Sequence, residues 1–240
     1  MRSVTAVGLV SGPLILLGYA VGSLPVAYLL ARRRLRSQLR GAPIRADGQT
    51  NDGAVVAATH AALALAVATL AWHVTVRVAP GGNYRVPEAS RIAFASTQVL
   101  TAWQSVALWT GLAAVVGHVA PVWGRFRSGG SGLVPALALL LAYAPSLFTA
   151  SVLAFFAGLV LTRSPRPAVA VALAMTVGAA WAAWLTEVPS GWGVVNGPEV
   201  TLWAAVLGGV LFARWQRGDV PAPPGGPSGP SGPARPGPRQ

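Results

Sequence analysis

Two polar loops, each leading into an apolar segment, hold most of the side chains that could do chemistry in this 240-residue chain. The first reads Pro43-Ile44-Arg45-Ala46-Asp47-Gly48-Gln49-Thr50-Asn51-Asp52-Gly53-Ala54. Glycines bracket an asparagine ahead of a helix, an arrangement that can turn backbone N–H groups and a helix N-terminus toward a phosphate. The same residues also suit an ordinary connector in which Asp52 caps the following helix. The second loop reads Gly117-His118-Val119-Ala120-Pro121-Val122-Trp123-Gly124-Arg125-Phe126-Arg127-Ser128-Gly129-Gly130-Ser131-Gly132. Arginine forks offer charge to an anion and glycines let the backbone approach it closely. Read blandly, this is a flexible loop whose arginines set topology and meet anionic lipid head groups.

Three histidines complete the set: His60 and His73 in one apolar segment, and His118. An ionisable group inside a membrane is a functional candidate. A neutral histidine that hydrogen-bonds a neighbouring helix is the plainer reading for His60 and His73. No carboxylate shares their segment, which argues against a proton relay and against a metal site. The chain has no cysteine, which excludes disulfides and thiolate chemistry. It also has no lysine; all 18 basic residues are arginine.

The elements that must position these loops are membrane spans. Hydrophobic residues make up 53% of the chain and charged residues only 10%, too few to hydrate the surface of a soluble domain. The net charge of +12 does not indicate a nucleic-acid binder, because the arginines sit in short clusters between apolar runs, as orientation signals do. Spans are expected at about 7–31, 53–76, 99–121, 130–143, 145–162, 167–185 and 200–215. The first is too long for a signal peptide and is followed by an arginine cluster. The stretch from Gly129 to Thr162 has 34 uncharged residues, with a turn expected at Tyr143-Ala144-Pro145.

Arginine placement decides whether that stretch crosses once or twice. Leaving out the distant Arg235 and Arg239, a hairpin puts 12 arginines inside (Arg32, Arg33, Arg34, Arg36, Arg40, Arg45, Arg125, Arg127, Arg163, Arg166, Arg214, Arg217) and 4 outside (Arg2, Arg77, Arg85, Arg91). A single crossing moves the last four of the inner set outward and gives 8 against 8. The positive-inside rule favours the hairpin. The expected fold is thus an all-α integral membrane protein of about seven transmembrane helices, with the N-terminus outside and the C-terminus cytoplasmic. Residues 1–219 form the membrane domain. Residues 220–240, rich in proline, glycine and serine, form a disordered cytoplasmic tail.

Three segments resemble the bacterial acyl-phosphate:glycerol-3-phosphate acyltransferases. Gly18-Tyr19-Ala20-Val21-Gly22-Ser23-Leu24-Pro25-Val26-Ala27-Tyr28-Leu29 is similar to that family's opening signature, G-Y-x-x-G-S-(I/L)-P-x-x-Y-L. Against the motif I-R-x-x-G-S-G-N-x-G-A-T-N the chain keeps Ile44, Arg45, Gly48, Asn51, Gly53 and Ala54. It departs at Gln49-Thr50 and Val55-Val56. Against G-H-x-F-P-V-(F/W)-x-x-F-K-G-G-K-G it keeps Gly117, His118, Pro121, Val122, Trp123, Phe126 and, as arginine, Arg127. With the glycines matched, the motif's second lysine falls on Ser131. In the third motif, R-H-x-x-N-I-x-R-L-x-x-G-x-E, Arg214 and Gly218 fit, but the histidine and asparagine fall on Gly208 and Leu211.

The resemblance implies transfer of an acyl group from acyl-phosphate to the first hydroxyl of glycerol 3-phosphate, giving lysophosphatidic acid. It implies a multi-pass protein of the bacterial plasma membrane, in contact with lipids, with no cofactor, no metal and no nucleic acid, and it sets no oligomeric state. The catalytic positions carried over are His118, Arg127 and Ser131. The substrate-binding positions are Ser23, Arg45, Gly48, Asn51, Gly53, Gly129 and Gly130. The missing lysine, histidine and asparagine leave a second reading open: a catalytically dead relative that binds a lipid or a partner protein in the membrane. A small-solute transporter fits the span count alone and lacks intramembrane charge and internal repeats.

Overall fold

The computed structural model describes residues 2–26, 28–29, 48–78, 83–84, 100–124, 129–186 and 197–216. Among these the chain is helical apart from two short antiparallel strands, Asn83–Tyr84 and Leu100–Thr101. The α-helices with described bounds are α1 (Arg2–Gly22), α2 (Gly48–Val78), α3 (Ala102–Val119), α4 (Leu133–Tyr143), α5 (Pro145–Thr162), α6 (Pro165–Leu185) and α7 (Pro198–Gln216). A 3-10 turn covers Val122–Gly124.

Local chemistry accounts for the breaks between them. Pro145, Pro165 and Pro198 each open a helix, where the absent N–H has no intrahelical partner to lose and the fixed φ suits the first turn. Ala144 alone separates α4 from α5, and its N–H closes α4 on Leu140 O at 2.8 Å. Arg163 ends α5 in the left-handed region, φ 51°, donating to Leu159 O, and the chain reverses into α6 within two residues.

The first helix differs from the expected 7–31. It begins at Arg2 and stops at Gly22; Ser23-Leu24-Pro25 then makes a turn before helix resumes, with Leu29 N–H donating to Pro25 O at 3.0 Å. Pro25 cannot donate to the helical ladder and disfavours helical geometry at Leu24. The signature segment is therefore a bend placed in the first apolar stretch. At the other end of the chain, α7 has 19 residues, about 28 Å of helix, longer than its uncharged core suggested.

Helix α3 is the hub and packs on α1, α2, α4 and α7. Its contact with α1 is a backbone contact made by glycine. A Cβ on Gly18 would lie 2.4 Å from Thr110 O, and one on Gly22 would lie 1.9 Å from Ala114 O. Gly18 and Gly22 are one helical turn apart, as are Thr110 and Ala114, so a small-residue stripe on each helix lets the axes approach. On its other side α3 takes Trp203, fully buried, whose Nε1–H donates to Leu108 O at 2.9 Å. Near the start of α3, Ser105 and Trp109 both donate to the Glu199 carboxylate in the first turn of α7; an acid there also suits the helix dipole.

The outside of the bundle is apolar. Leu161 and Val160 are 83% and 77% exposed, and Leu153, Phe156, Trp181 and Leu202 are also open. Such a surface belongs in hydrocarbon. Ala54–Val78, Pro145–Thr162 and Pro165–Leu185 are each long and apolar enough to cross a membrane, whereas Leu9–Gly22, Gln104–Val119 and Leu133–Tyr143 are apolar but shorter.

Candidate phosphate-binding site

The bend after α1 and the loop between α3 and α4 meet at one end of the bundle around a cavity of about 420 Å³. Its walls come from Gly22 to Val26 and Tyr28 on the bend, Val56 and His60 on α2, His118, Pro121 and Trp123 at the end of α3, and Gly129-Gly130 on the loop. The α1–α3 glycine contact brings the first and third walls together. Tyr19 adds a tie, its hydroxyl donating to Ala120 O at 2.8 Å.

The loop is held against α3 at its backbone. Gly130 N–H donates to His118 O at 2.9 Å, and Arg214 on α7 donates to Gly129 O. Both glycines are needed for closeness. A Cβ on Gly129 would come within 1.8 Å of Val119 O, and one on Gly130 within 2.2 Å of His118 Nε2. Gly132 takes φ 75° at the entry to α4, a left-handed conformation that glycine adopts without steric cost.

Two imidazoles face each other in the cavity. The His60 and His118 ring centroids are 4.0 Å apart. His60 is buried, with Nδ1 2.9 Å from Val56 O and Nε2 3.3 Å from Leu24 O. Ser23 is 1% exposed and its Oγ has no hydrogen-bond partner among the described residues. A buried hydroxyl left unpaired costs free energy, so an unpaired one on a cavity wall points to a ligand that completes it. Among the described residues no three His, Cys, Asp or Glu side chains gather into a possible metal site.

Of the ten residues expected at the site, the cavity collects Ser23, His118, Gly129 and Gly130. Gly48, Asn51 and Gly53 lie in the first two turns of α2, ahead of the cavity residues Val56 and His60. Ser131 is exposed and is not among the residues lining the cavity. Arg45 and Arg127 lie outside the described residues. His60, expected to bond a neighbouring helix, instead sets its ring nitrogens against Val56 O of its own helix and Leu24 O of the bend, and it also lines the cavity. Only its rarity in an apolar helix signalled this.

A second cavity, about 330 Å³, lies between α4, α5, α6 and α7. Its walls are apolar except for Ser151 and Thr176, whose hydroxyls pair at 2.6 Å. Gly208 and Leu211, where the third motif would need histidine and asparagine, lie on this wall.

Comparison with known proteins gives the family. The family model described as glycerol-3-phosphate acyltransferase matches residues 13–217. The chain belongs to the glycerol-3-phosphate acyltransferase family. Among similar members, the Myxococcus xanthus glycerol-3-phosphate acyltransferase is 34% identical over 150 residues, covering 62% of this chain and 69% of that protein. The enzyme of Pseudomonas syringae pv. syringae is 34% identical over 160 residues, 66% of this chain and 73% of its own length. Crystal structures of PlsY, an integral membrane glycerol 3-phosphate acyltransferase, share the fold. Its glycerol 3-phosphate form superposes with a TM-score of 0.52 at 21% identity, and its lysophosphatidic acid form with 0.54 at 20%. Both matches cover 87% of this chain and 89% of the other.

Proposed function

We propose that this family member acylates the first hydroxyl of glycerol 3-phosphate from an acyl-phosphate, releasing inorganic phosphate and lysophosphatidic acid. The observation that carries the reading is the cavity itself. It joins the bend of the opening signature to the Gly129-Gly130 loop, and it contains an unpaired buried hydroxyl and two imidazoles. Both reactants carry phosphate, and a site of preorganised polar groups works by positioning them and stabilising developing charge.

In this reading Gly129 and Gly130 let the loop close over a phosphate, with Arg127 as its charge. Ser23 Oγ hydrogen-bonds a phosphoryl oxygen or the reacting hydroxyl. His118 accepts the proton that leaves the hydroxyl as its oxygen attacks the acyl carbon, and the acyl–phosphate bond breaks. Gly48, Asn51 and Gly53 bring the start of α2 to the second phosphate, and Arg45 supplies charge to it. The protein sits in the bacterial plasma membrane as seven spans, with its N-terminus outside and the cavity opening to the cytoplasm. Residues 1–219 make the membrane domain and 220–240 a tail without catalytic content. The arginine distribution supports that orientation.

The test is acyl transfer by purified protein in nanodiscs, with palmitoyl-phosphate and labelled glycerol 3-phosphate, beside an Asn51→Ala, Arg127→Ala double variant. Labelled lysophosphatidic acid from the parent and not from the variant supports the reading. No product from folded parent, with an active family member as control, rejects it.

A further inference from the structure

Gly129 and Gly130 are joined by one peptide group, and both ends of that group are taken. Its C=O, from Gly129, accepts from Arg214 of α7. Its N–H, from Gly130, donates to His118 O at 2.9 Å. A trans peptide is planar and points its C=O and N–H in opposite directions, and no described peptide bond is cis. The group is therefore a strut, with α7 on one side and the end of α3 on the other.

The strut serves α3 in two ways. His118 O lies in the last turn of that helix, where carbonyls find no partner farther along it, and the Gly130 N–H satisfies it. A guanidinium on the Gly129 C=O polarises the peptide and strengthens that N–H as a donor. The strut also carries the surface on which the His118 ring rests, since a Cβ on Gly130 would lie 2.2 Å from His118 Nε2. Toward the other end of both helices α3 and α7 are tied by side chains, Glu199 to Ser105 and Trp109, and Trp203 to Leu108 O. Beside the cavity the tie runs through the loop peptide. Because the Gly130 N–H is spent on His118 O, it is not a donor for a phosphate, and glycine serves here by its closeness.

We propose that Arg214 is a positioning residue for acyl transfer: it holds the Gly129–Gly130 peptide and through it sets the His118 ring at the proton it accepts. Arg214 is not among the residues lining the cavity, so it acts without touching substrate. The effect on transfer rests on the acyltransferase reading; the strut does not.

The experiment compares the parent with Arg214→Met, as full chains in nanodiscs, by two readouts. Deuterium exchange of the Gly130 N–H, read by fragmentation mass spectrometry, should be as slow in the parent as for interior amides of α3, with or without inorganic phosphate. In Arg214→Met it should be roughly ten- to hundredfold faster, as for a lost charge-assisted bond. In turnover with palmitoyl-phosphate and glycerol 3-phosphate, kcat should fall roughly ten- to hundredfold while both KM values stay, the mark of a group that acts on the transition state. A residue with a structural role alone would lower the folded yield and leave kcat per folded molecule. A KM that rises with kcat unchanged would make Arg214 a direct substrate contact and overturn the proposal. Unchanged exchange or unchanged kcat in folded Arg214→Met would overturn it too. Should that variant fail to fold, the parent decides. A Gly130 N–H protected without phosphate supports the strut, and one that exchanges at loop rate, or is protected only when phosphate is added, overturns it. A parent that makes no product removes the acyltransferase reading, and exchange that still quickens in Arg214→Met keeps the strut.

Discussion

The two cavities treat their polar groups in opposite ways. Between α4, α5, α6 and α7 the two hydroxyls, Ser151 and Thr176, lie 2.6 Å apart with a carbonyl of its own helix in reach of each, so their two protons are shared among these three contacts. The wall around them is hydrocarbon, and the pair is a structural tie between α5 and α6 of the kind helices use in membranes. In the cavity beside the bend, Ser23 Oγ has no partner among the described residues, two imidazoles meet, and the backbone of a glycine loop lies on the wall. Similar side chains are thus closed in one place and left open in the other. Open polar groups cost stability, so they mark where a ligand is expected, whereas the closed pair marks packing.

This contrast can be broken or sharpened by substitution. The largest effect should come from Gly22→Leu, which drives a side chain into the Ala114 backbone. Ordinary overpacking costs about 1–3 kcal/mol, and here no flexible neighbour can yield, so the folded species should be lost on size-exclusion chromatography. Gly130→Ala comes next: the new methyl must displace the His118 ring, and a displacement of that order lowers turnover about a hundredfold while the thermal midpoint changes little. Ser23→Ala should raise KM several-fold, to roughly tenfold, for the loss of one neutral hydrogen bond. Because the hydroxyl has no partner among the described residues, thermal stability should hold or rise slightly, as thermal-shift measurement in detergent will show. The smallest effect belongs to the apolar cavity. Ser151→Ala should cost about 1 kcal/mol of stability and leave the rate unchanged, and adding Thr176→Val should recover part of that cost, since removing both partners leaves no orphan.

Much of the fold was legible because membrane spans announce themselves by length, charge and proline. The break at Tyr143-Ala144-Pro145 is where α4 and α5 part, and Pro145, Pro165 and Pro198 head helices as proline does anywhere. The bend at Ser23-Leu24-Pro25 was missed as a bend, because apolar residues continue on both sides of it and hydropathy does not register a turn. Its proline was the available signal. In the site, the glycines were readable since glycine beside glycine implies close backbone approach, and Gly129 and Gly130 lie against Val119 O and the His118 ring. His60 was not readable. Its partner, Leu24 O, is 36 residues away, and a backbone carbonyl carries no sequence signature. The eroded third motif has a physical counterpart: Leu211 faces hydrocarbon, so that stretch of α7 serves the apolar cavity, while Arg214 one turn on still reaches the Gly129 carbonyl.

The central claim is that the cavity beside the bend, and not the one between α4 and α7, holds the phosphate chemistry. The most direct measurement is the initial rate of lysophosphatidic acid formation from palmitoyl-phosphate and glycerol 3-phosphate by the parent, Gly130→Ala and Ser151→Ala, each shown to be folded. The prediction is product from the parent, about the same rate from Ser151→Ala and a roughly hundredfold lower rate from Gly130→Ala. An undiminished rate in folded Gly130→Ala, or no product from a folded parent, would contradict it.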